Sequence, residues 1–342
     1  MQPRIALAKR SYSLIYNRSY FKMTVSHQPA TRPLHHWTFL LLILLAIVVY
    51  YPGLSGDYMF DDTSNLLQNQ ALDMESLDMD SLTDAAWSSG AGLLRRPVSM
   101  ASFALNRFFF GIDPFSHKVV NLIIHVLTGC LLYLFSHLLL AAYQQYRKPW
   151  LSTTAARWIP VIVCGLWLVH PLNLTSVLYI VQRMTSLATL FMVAGLCLYV
   201  VGRMQMLRGR SGLSIILVGL FCLGSLAILS KENGILLPLY MLVIEFTVFR
   251  FQGANQNPDK SIITLFTLIL AIPALFALLY LVTHTDSMLN YSHRDFTLWE
   301  RVLTEPRVLI FYLKMIIMPS VQELGLYHDD FSLSHGLLSP FS

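Results

Sequence analysis

The chain has 342 residues, of which 55% are hydrophobic and only 13% are charged. Soluble domains carry roughly 25% charged residues, so this composition excludes a chain that mostly faces water. Its formal net charge of +5 does not indicate nucleic-acid binding, because basic residues concentrate in an amino-terminal tail and in short loops. Several long apolar stretches predict membrane-spanning helices, since a backbone in lipid must satisfy its own hydrogen bonds.

The first 36 residues form a basic tail that contains no acidic residue. Its cations are Arg4, Lys9, Arg10, Arg18, Lys22 and Arg32. The tail precedes the first apolar helix, and an acidic loop follows that helix. The positive-inside rule therefore predicts that the tail is cytoplasmic and that residues 37–342 form the membrane domain.

Seven spans are predicted in chain order. They cover about 37–51, 118–143, 159–169, 175–201, 213–230, 235–249 and 262–282. Basic loops fall on alternate connections, which gives a consistent topology with the amino terminus inside. A further segment at 307–319 carries Lys314 in its middle and is shorter than the roughly 20 apolar residues of a span. We favour an interfacial or re-entrant helix there over an eighth span.

The sequence thus predicts an all-α, polytopic membrane protein with about seven to eight transmembrane helices and a large outer loop. That loop covers residues 53–114 and is expected to contain short amphipathic helices near 81–88 and 97–110. Residues 283–342 are expected to form an outer or interfacial segment. The chain stops there without a closing element, which suggests a longer natural protein.

Polar residues gather at the predicted outer ends of the helices. They are Asp61, Asp62, Arg95, Arg96, His170, Tyr179, Gln182, Arg183, Lys231, Glu232 and Asn233. Charges at membrane depth are costly unless they are paired or hydrated, so they indicate function by default. Arg183 is the sharpest case, because it is predicted about two turns into the fourth helix, with Tyr179 one turn before it.

Each of these groups also has a purely structural interpretation. The Asp61–Asp62 pair suits a solvated loop, and His170 before proline suits a helix stop. The Lys231–Gly234 segment suits a turn, Arg95 and Arg96 suit lipid headgroups, and Arg183 suits packing against an acid. Their convergence on one side of the membrane favours a shared site.

A stripe of His117, Asn121 and His125 recurs every four residues along the second helix. A zinc site would need a third ligand within a recognisable motif, and the sequence shows none. An interhelical hydrogen-bond ladder is the favoured interpretation.

These motifs, in this order, resemble a known family. They are Phe60-Asp61-Asp62, Arg96-Pro97, Phe103–Asn106, the His117–Asn121–His125 stripe, His170-Pro171, Tyr179–Arg183 and Lys231–Gly234. The set is similar to the membrane part of the O-mannosyltransferases that carry tetratricopeptide repeats, and to their bacterial relatives. The likeness covers roughly residues 35–335, and no such repeats occur in this sequence.

The resemblance implies a C-type membrane glycosyltransferase fold and a sugar donor on a polyprenyl phosphate. It also implies an active site at the outer or lumenal face of the bacterial inner membrane or the endoplasmic reticulum. Asp61 and Asp62 match the acidic pair of the first outer loop. Arg96-Pro97 matches a basic-proline element later in that loop. The implied acceptor is a protein or glycan.

Glycosyl transfer chemistry suits these residue types. A carboxylate must take a proton from the acceptor hydroxyl, which is a role for Asp61 or Asp62, with Asp62 favoured because one of two neighbouring side chains in a loop is expected to be structural. Positive charge must meet the leaving phosphate; the candidates are Arg95, Arg96, Arg183 and Lys231, supported by His170, Gln182, Tyr179, Glu232 and Asn233.

Two other questions stay open from the sequence. The adjacent carboxylates of Asp61 and Asp62 could instead hold a divalent cation, and no cofactor is otherwise indicated. The competing function is a transporter or flippase of a polyprenyl-linked sugar, which would use the same cations without a catalytic base. A non-enzymatic assembly scaffold ranks third.

Overall fold

The computed structural model describes residues 34–147, 151–284, 291, 294–325 and 331–337. The cations of the predicted cytoplasmic tail lie outside the described residues. The described residues from His35 onward form one compact unit by their contacts. Within the described residues the chain forms helices and turns and no strand, which confirms the all-α class.

We number the helices in chain order. The first five are α1 (Leu34–Tyr50), α2 (Met79–Ala86), α3 (Pro97–Phe110), α4 (Pro114–Tyr146) and α5 (Thr153–Leu168). The other six are α6 (Leu174–Leu178), α7 (Arg183–Leu207), α8 (Leu213–Ser230), α9 (Glu232–Phe249), α10 (Lys260–Thr283) and α11 (Leu298–Ile317). The segments α8, α9 and α10 each contain a π-helical stretch.

Six helical segments of the described chain are long and apolar enough to cross a membrane, and a bent pair built from α5 and the 171–178 segment would make a seventh. The protein is therefore a polytopic helical membrane protein, with six to seven candidate spans where the sequence predicted seven to eight. The amphipathic α11 is not among these segments. The two loop helices α2 and α3 lie where the sequence predicted short amphipathic helices.

Local sequence signals explain where several helices begin. The carboxylate of Asp113 accepts hydrogen bonds from two backbone N–H groups at the start of α4, directly before Pro114. Ser152 caps α5 in the same way, and Asp259 caps α10. Such side chains satisfy backbone donors that have no partner inside the helix.

The central helix of the bundle is α7, which packs against α4 and α8. Small residues permit the contact with α8: a Cβ at Gly195 would lie 3.1 Å from the carbonyl oxygen of Gly219. Helices associate in lipid through close backbone contact of this kind, because apolar side chains gain little free energy when they leave lipid for a helix interface. By contrast, α10 exposes a largely apolar surface that suits lipid.

The structure corrects the position of Arg183. The predicted fourth helix is broken, because Tyr179 adopts an extended backbone (φ −94°, ψ 107°) between α6 and a single turn at Ile180–Gln182. Arg183 is therefore the first residue of α7 and not two turns inside it. Neither proline nor glycine occurs at the break, so its cause is tertiary: the N–H of Val181 donates to a loop carboxylate, that of Asp62.

A buried ion pair that the sequence analysis did not identify lies at the other end of α7. The guanidinium of Arg203 donates two hydrogen bonds of 2.9 Å to the carboxylate of Glu245. A third bond reaches Asp259, and the hydroxyl of Tyr199 also donates to Glu245. Because every partner is satisfied, this pair holds α7, α9 and the following loop together without leaving a free charge.

Candidate functional site

Asp62 holds the first loop against the break before α7. Its carboxylate is fully buried and accepts the N–H of Met59 at 3.1 Å and the N–H of Val181 at 2.7 Å. Burial raises the pKa of Asp62, although the backbone hydrogen bonds act in the opposite direction. Both oxygens of this carboxylate already accept backbone hydrogen bonds, so it is poorly placed to act as a base on an acceptor that enters from outside.

Asp61 has the opposite environment. Its side chain is exposed, and its backbone N–H donates to the hydroxyl of Tyr179 at 3.2 Å. The preceding Phe60 has a positive φ of 46°, a strained conformation for a residue with a side chain. The loop therefore turns sharply just before Asp61, and the two acids of the pair face different surroundings.

Arg183 is buried completely and uses its guanidinium inside the protein. It donates to the side-chain oxygens of Asn121 and Asn106, each at 2.7 Å, and to the backbone carbonyls of Ser102 and His117. All four hydrogen bonds of this guanidinium go to protein oxygens, so the structure gives the predicted contact with a donor phosphate no support. Its physical role is to tie α3 and α4 to the start of α7.

The hydrogen-bond ladder predicted on α4 is present at two of its three positions. Asn121 donates to the carbonyls of Val177 and Ile180 while accepting from Arg183. His125 Nε2 bonds the carbonyl of Leu168 at 2.9 Å. The ring of His117 instead bonds the carbonyl of Asp113 within its own helix.

Arg96 is paired with Glu232 across the site. Its Nε donates to both carboxylate oxygens at 3.1 Å. Both Arg95 and Arg96 have positive φ values, 56° and 51°, and Arg96 begins α3 in the left-handed region. Arg95 is exposed, with one contact of 3.5 Å to the carbonyl of Trp87, so its charge is the more available of the two.

Gly92 is needed for this pair to form. It has a φ of +73°, and a Cβ at this position would collide with the carboxylate of Glu232. The glycine therefore lets the loop backbone lie directly against the acid that holds Arg96.

Lys231 belongs to a chain of hydrogen bonds at the start of α7. Its ammonium donates to the hydroxyl of Thr185 at 2.8 Å, and that hydroxyl donates to Oε1 of Gln182 at 2.7 Å. Partial burial lowers the pKa of Lys231, with the nearby Arg96 as a second cause. A bound anion would favour the charged ammonium, so Lys231 suits a phosphate contact.

His170 docks α11 onto the turn after α5. Its Nδ1 accepts the N–H of Leu172 at 3.2 Å, so Nε2 carries the proton and donates to the carbonyl of Ile316 at 2.9 Å. Between this turn and α11 lies a cavity of about 280 Å³ whose lining includes Gln182 and Glu323. Both ring nitrogens are used, which fits a supporting role for His170.

The predicted residues thus fall into three connected groups. Segment 179–185 joins them: Tyr179 meets the Asp61 loop, Gln182 reaches the α11 cavity, and Thr185 meets Lys231. Asn233 lies beside Glu232, and its Oδ1 is buried without a hydrogen-bond partner among the described residues.

A divalent cation finds little support in the geometry. Across the part of the chain that the structure describes, no three His, Cys, Asp or Glu side chains lie close enough to hold a metal ion. The Asp61–Asp62 pair does not offer two free carboxylates, because both oxygens of Asp62 accept backbone N–H groups.

The comparisons with known proteins agree with the ordered motifs. The chain is 25% identical over 221 residues to Protein O-mannosyl-transferase F38B6.6 of Caenorhabditis elegans, which covers 63% of this chain and 29% of that protein. It is 26% identical over 240 residues to Protein O-mannosyl-transferase TMTC4 of Homo sapiens, covering 66% and 32%. With Xenopus laevis Protein O-mannosyl-transferase tmtc2 the identity is 28% over 227 residues, covering 64% and 25%.

These similarities confirm the resemblance stated from the motifs. The matched region spans about a third or less of the length of these curated relatives. No family model matches the chain, and no solved structure matches it.

Sequence reasoning missed two residues that shape the site. Lys118 is almost fully buried and donates to the carbonyls of Gly56 and Asp57, which fixes the start of the first loop. Thr185 connects Lys231 to Gln182. The charge of Lys118 at the beginning of an apolar helix was a usable signal, whereas a single threonine in such a helix carries none.

Proposed function

We propose that this protein is a membrane glycosyltransferase that moves a sugar from a polyprenyl phosphate to an acceptor hydroxyl, on a protein or glycan, at the non-cytoplasmic face. The observation that carries the proposal is the separation of the acidic pair: Asp61 is exposed while Asp62 is buried and fixes its loop. The names of the similar proteins supply the reaction class.

Asp61 is assigned the role of general base. It takes the proton of the acceptor hydroxyl as that oxygen bonds to the anomeric carbon of the sugar. The bond between the anomeric carbon and the phosphate oxygen breaks in the same step, and the electron pair leaves with the polyprenyl phosphate. Tyr179 positions the backbone of Asp61 by accepting its N–H.

Lys231 and Arg95 are assigned to the phosphate. Negative charge grows on the leaving phosphate oxygen in the transition state, and a cation beside it lowers the barrier. Lys231 is half-buried and is held by Thr185, whereas Arg95 is exposed on the opposite loop. Arg96 is already matched by Glu232, so we assign it to holding α3 against the Lys231 turn.

The proposal is tested with Asp61→Asn in a transfer assay that uses a radiolabelled polyprenyl-phosphate sugar. Loss of a general base lowers the chemical step by roughly 10² to 10⁴-fold, while donor binding stays close to that of the wild type. Asp84→Asn is the matched control, since Asp84 is an exposed acid of the same loop. Full transfer by Asp61→Asn would remove the catalytic assignment.

The membrane face is tested separately by cysteine labelling. Leu93 in the first loop is 99% exposed, and Ser211 between α7 and α8 is exposed as well. In a background with Cys222→Ser, which removes the exposed native cysteine, Leu93→Cys should react with an impermeant maleimide in intact cells. Ser211→Cys should not, and the reverse pattern would place the site in the cytoplasm.

A further inference from the structure

A second cavity, of about 220 Å³, lies among α4, α5, α6 and α7. Its lining is rich in hydroxyl groups, which come from Thr128, Ser176, Thr185, Ser186 and Thr189. His125, Trp167 and Asn173 complete the described lining, and none of these residues carries a formal charge at neutral pH apart from a protonated histidine. A polar, uncharged cavity between apolar helices needs an occupant that can satisfy it.

The walls of the cavity are mainly hydrogen-bond acceptors. Thr128 donates its hydroxyl hydrogen to the carbonyl of Ile124, and Thr189 donates to the carbonyl of Thr185, each at 2.8 Å. Each oxygen then keeps lone pairs for a further partner. The occupant must therefore bring donors.

His125 supplies the second observation. It is 2% exposed, and its Nε2 must be protonated, since its partner is the carbonyl of Leu168. In the neutral ring Nδ1 is then an acceptor, and it makes no hydrogen bond within the described residues. The ring stacks on Trp167, with centroids 4.5 Å apart, so its orientation is fixed.

Size and chemistry together select the ligand class. Pockets for drug-sized ligands begin at about 300 Å³, so this cavity suits a single small unit and not a lipid chain or an oligosaccharide. The absence of a cation among the described lining residues disfavours a phosphate. A hexose ring carries several hydroxyl donors, has no charge, and suits an aromatic wall such as Trp167.

Thr185 connects this cavity to the proposed phosphate contact. Its hydroxyl lines the cavity and accepts a hydrogen bond from Lys231 at 2.8 Å. A sugar in the cavity would therefore lie on the neighbouring side of the residue that holds the ammonium. We infer that this cavity is the subsite for the uncharged sugar ring of the donor, and that Thr128, Thr189 and His125 recognise its hydroxyl groups.

The inference rests on the proposed function, so its test must separate the sugar from the phosphate. Binding of polyprenyl-phosphate mannose and of bare polyprenyl phosphate is measured on the purified chain in detergent. Thr128→Val and Thr189→Val each remove one acceptor while keeping the side-chain volume. The matched control is Thr247→Val, because Thr247 is exposed and donates to a carbonyl of its own helix in the same way.

Each cavity variant is expected to weaken binding of the mannosylated lipid by about 3- to 10-fold, the value of one hydrogen bond, and to leave binding of bare polyprenyl phosphate unchanged. Equal binding of the mannosylated lipid by wild type and both variants would overturn the subsite and would mean that the cavity holds water. If the wild type binds neither lipid, the proposed function itself fails. Unchanged binding of the bare lipid also shows that a variant has folded.

Discussion

Replacement of Arg183 by lysine tests whether this residue is structural or binds the donor. The guanidinium donates to four oxygen atoms, those of Asn121, Asn106, Ser102 and His117. A lysine has three donors and no planar fork, so at least one buried acceptor loses its partner. Each such loss costs about 1–3 kcal/mol. Methionine would remove all the donors and leave the four neutral acceptors without this partner, so it should cost more than lysine.

The assay is the free energy of unfolding in mixed detergent micelles, measured beside steady-state transfer. Arg208→Lys is the control, since Arg208 is an exposed arginine at the other end of α7 with one hydrogen bond, to Gln145. We expect Arg183→Lys to lose stability and Arg208→Lys to keep it. A wild-type unfolding free energy for Arg183→Lys, together with a raised KM for the donor, would refute the structural assignment and restore the phosphate contact.

Three further outcomes follow from the geometry. Gly92→Ala should displace the carboxylate of Glu232 and lower transfer, whereas Gly90→Ala, where a Cβ meets open space, should not; equal activities would contradict the contact. Burial raises the pKa of Asp62 above 3.8, so the stabilisation that comes from its protonation is complete below that pH and is lost as pH rises through the raised pKa. The unfolding free energy of the wild type should therefore fall relative to that of Asp62→Asn across this range, and parallel curves for the two proteins would contradict the shift. Glu245→Gln removes the carboxylate that makes two hydrogen bonds with buried Arg203 and leaves Asp259 as its remaining ion-pair partner, so it should cost up to about 3–5 kcal/mol of stability, with KM unchanged in the folded fraction.

The sequence predicted the spans well because lipid imposes a simple requirement on it. Apolar stretches near 20 residues must be helical where they cross the bilayer, so α4, α8 and α10 lie close to their predicted bounds. The same reasoning failed at Tyr179. The break there has no proline or glycine and depends on a hydrogen bond from Val181 to Asp62, far away in sequence.

The sequence singled out the polar residues of the candidate site, but it could not separate their structural roles. Asp61 and Asp62 are adjacent and chemically identical, and the sequence favoured the second weakly as the base. The geometry favours Asp61, because Asp62 is enclosed by backbone donors. Arg183 is likewise enclosed by hydrogen-bond partners, whereas Lys231 is only half-buried. The partners of Arg183 come from α3 and α4, and no local sequence pattern predicts them.

Backbone strain shows how the exposed groups are held. Phe60, Arg95 and Arg96 all have positive φ values, each at a cost of order 1–3 kcal/mol that the surrounding contacts must offset. Strain alone does not mark a site, since Arg250 and Phe251 share it in the loop beside the buried ion pair. The two loops differ in the charged side chains that the strained backbone leaves exposed. In the first loop the exposed Asp61 and Arg95 are the sequence neighbours of Asp62 and Arg96, whose side chains are fixed by hydrogen bonds. Under the proposed function, the fixed residues would hold the exposed ones in position, as catalysis by preorganised charge requires.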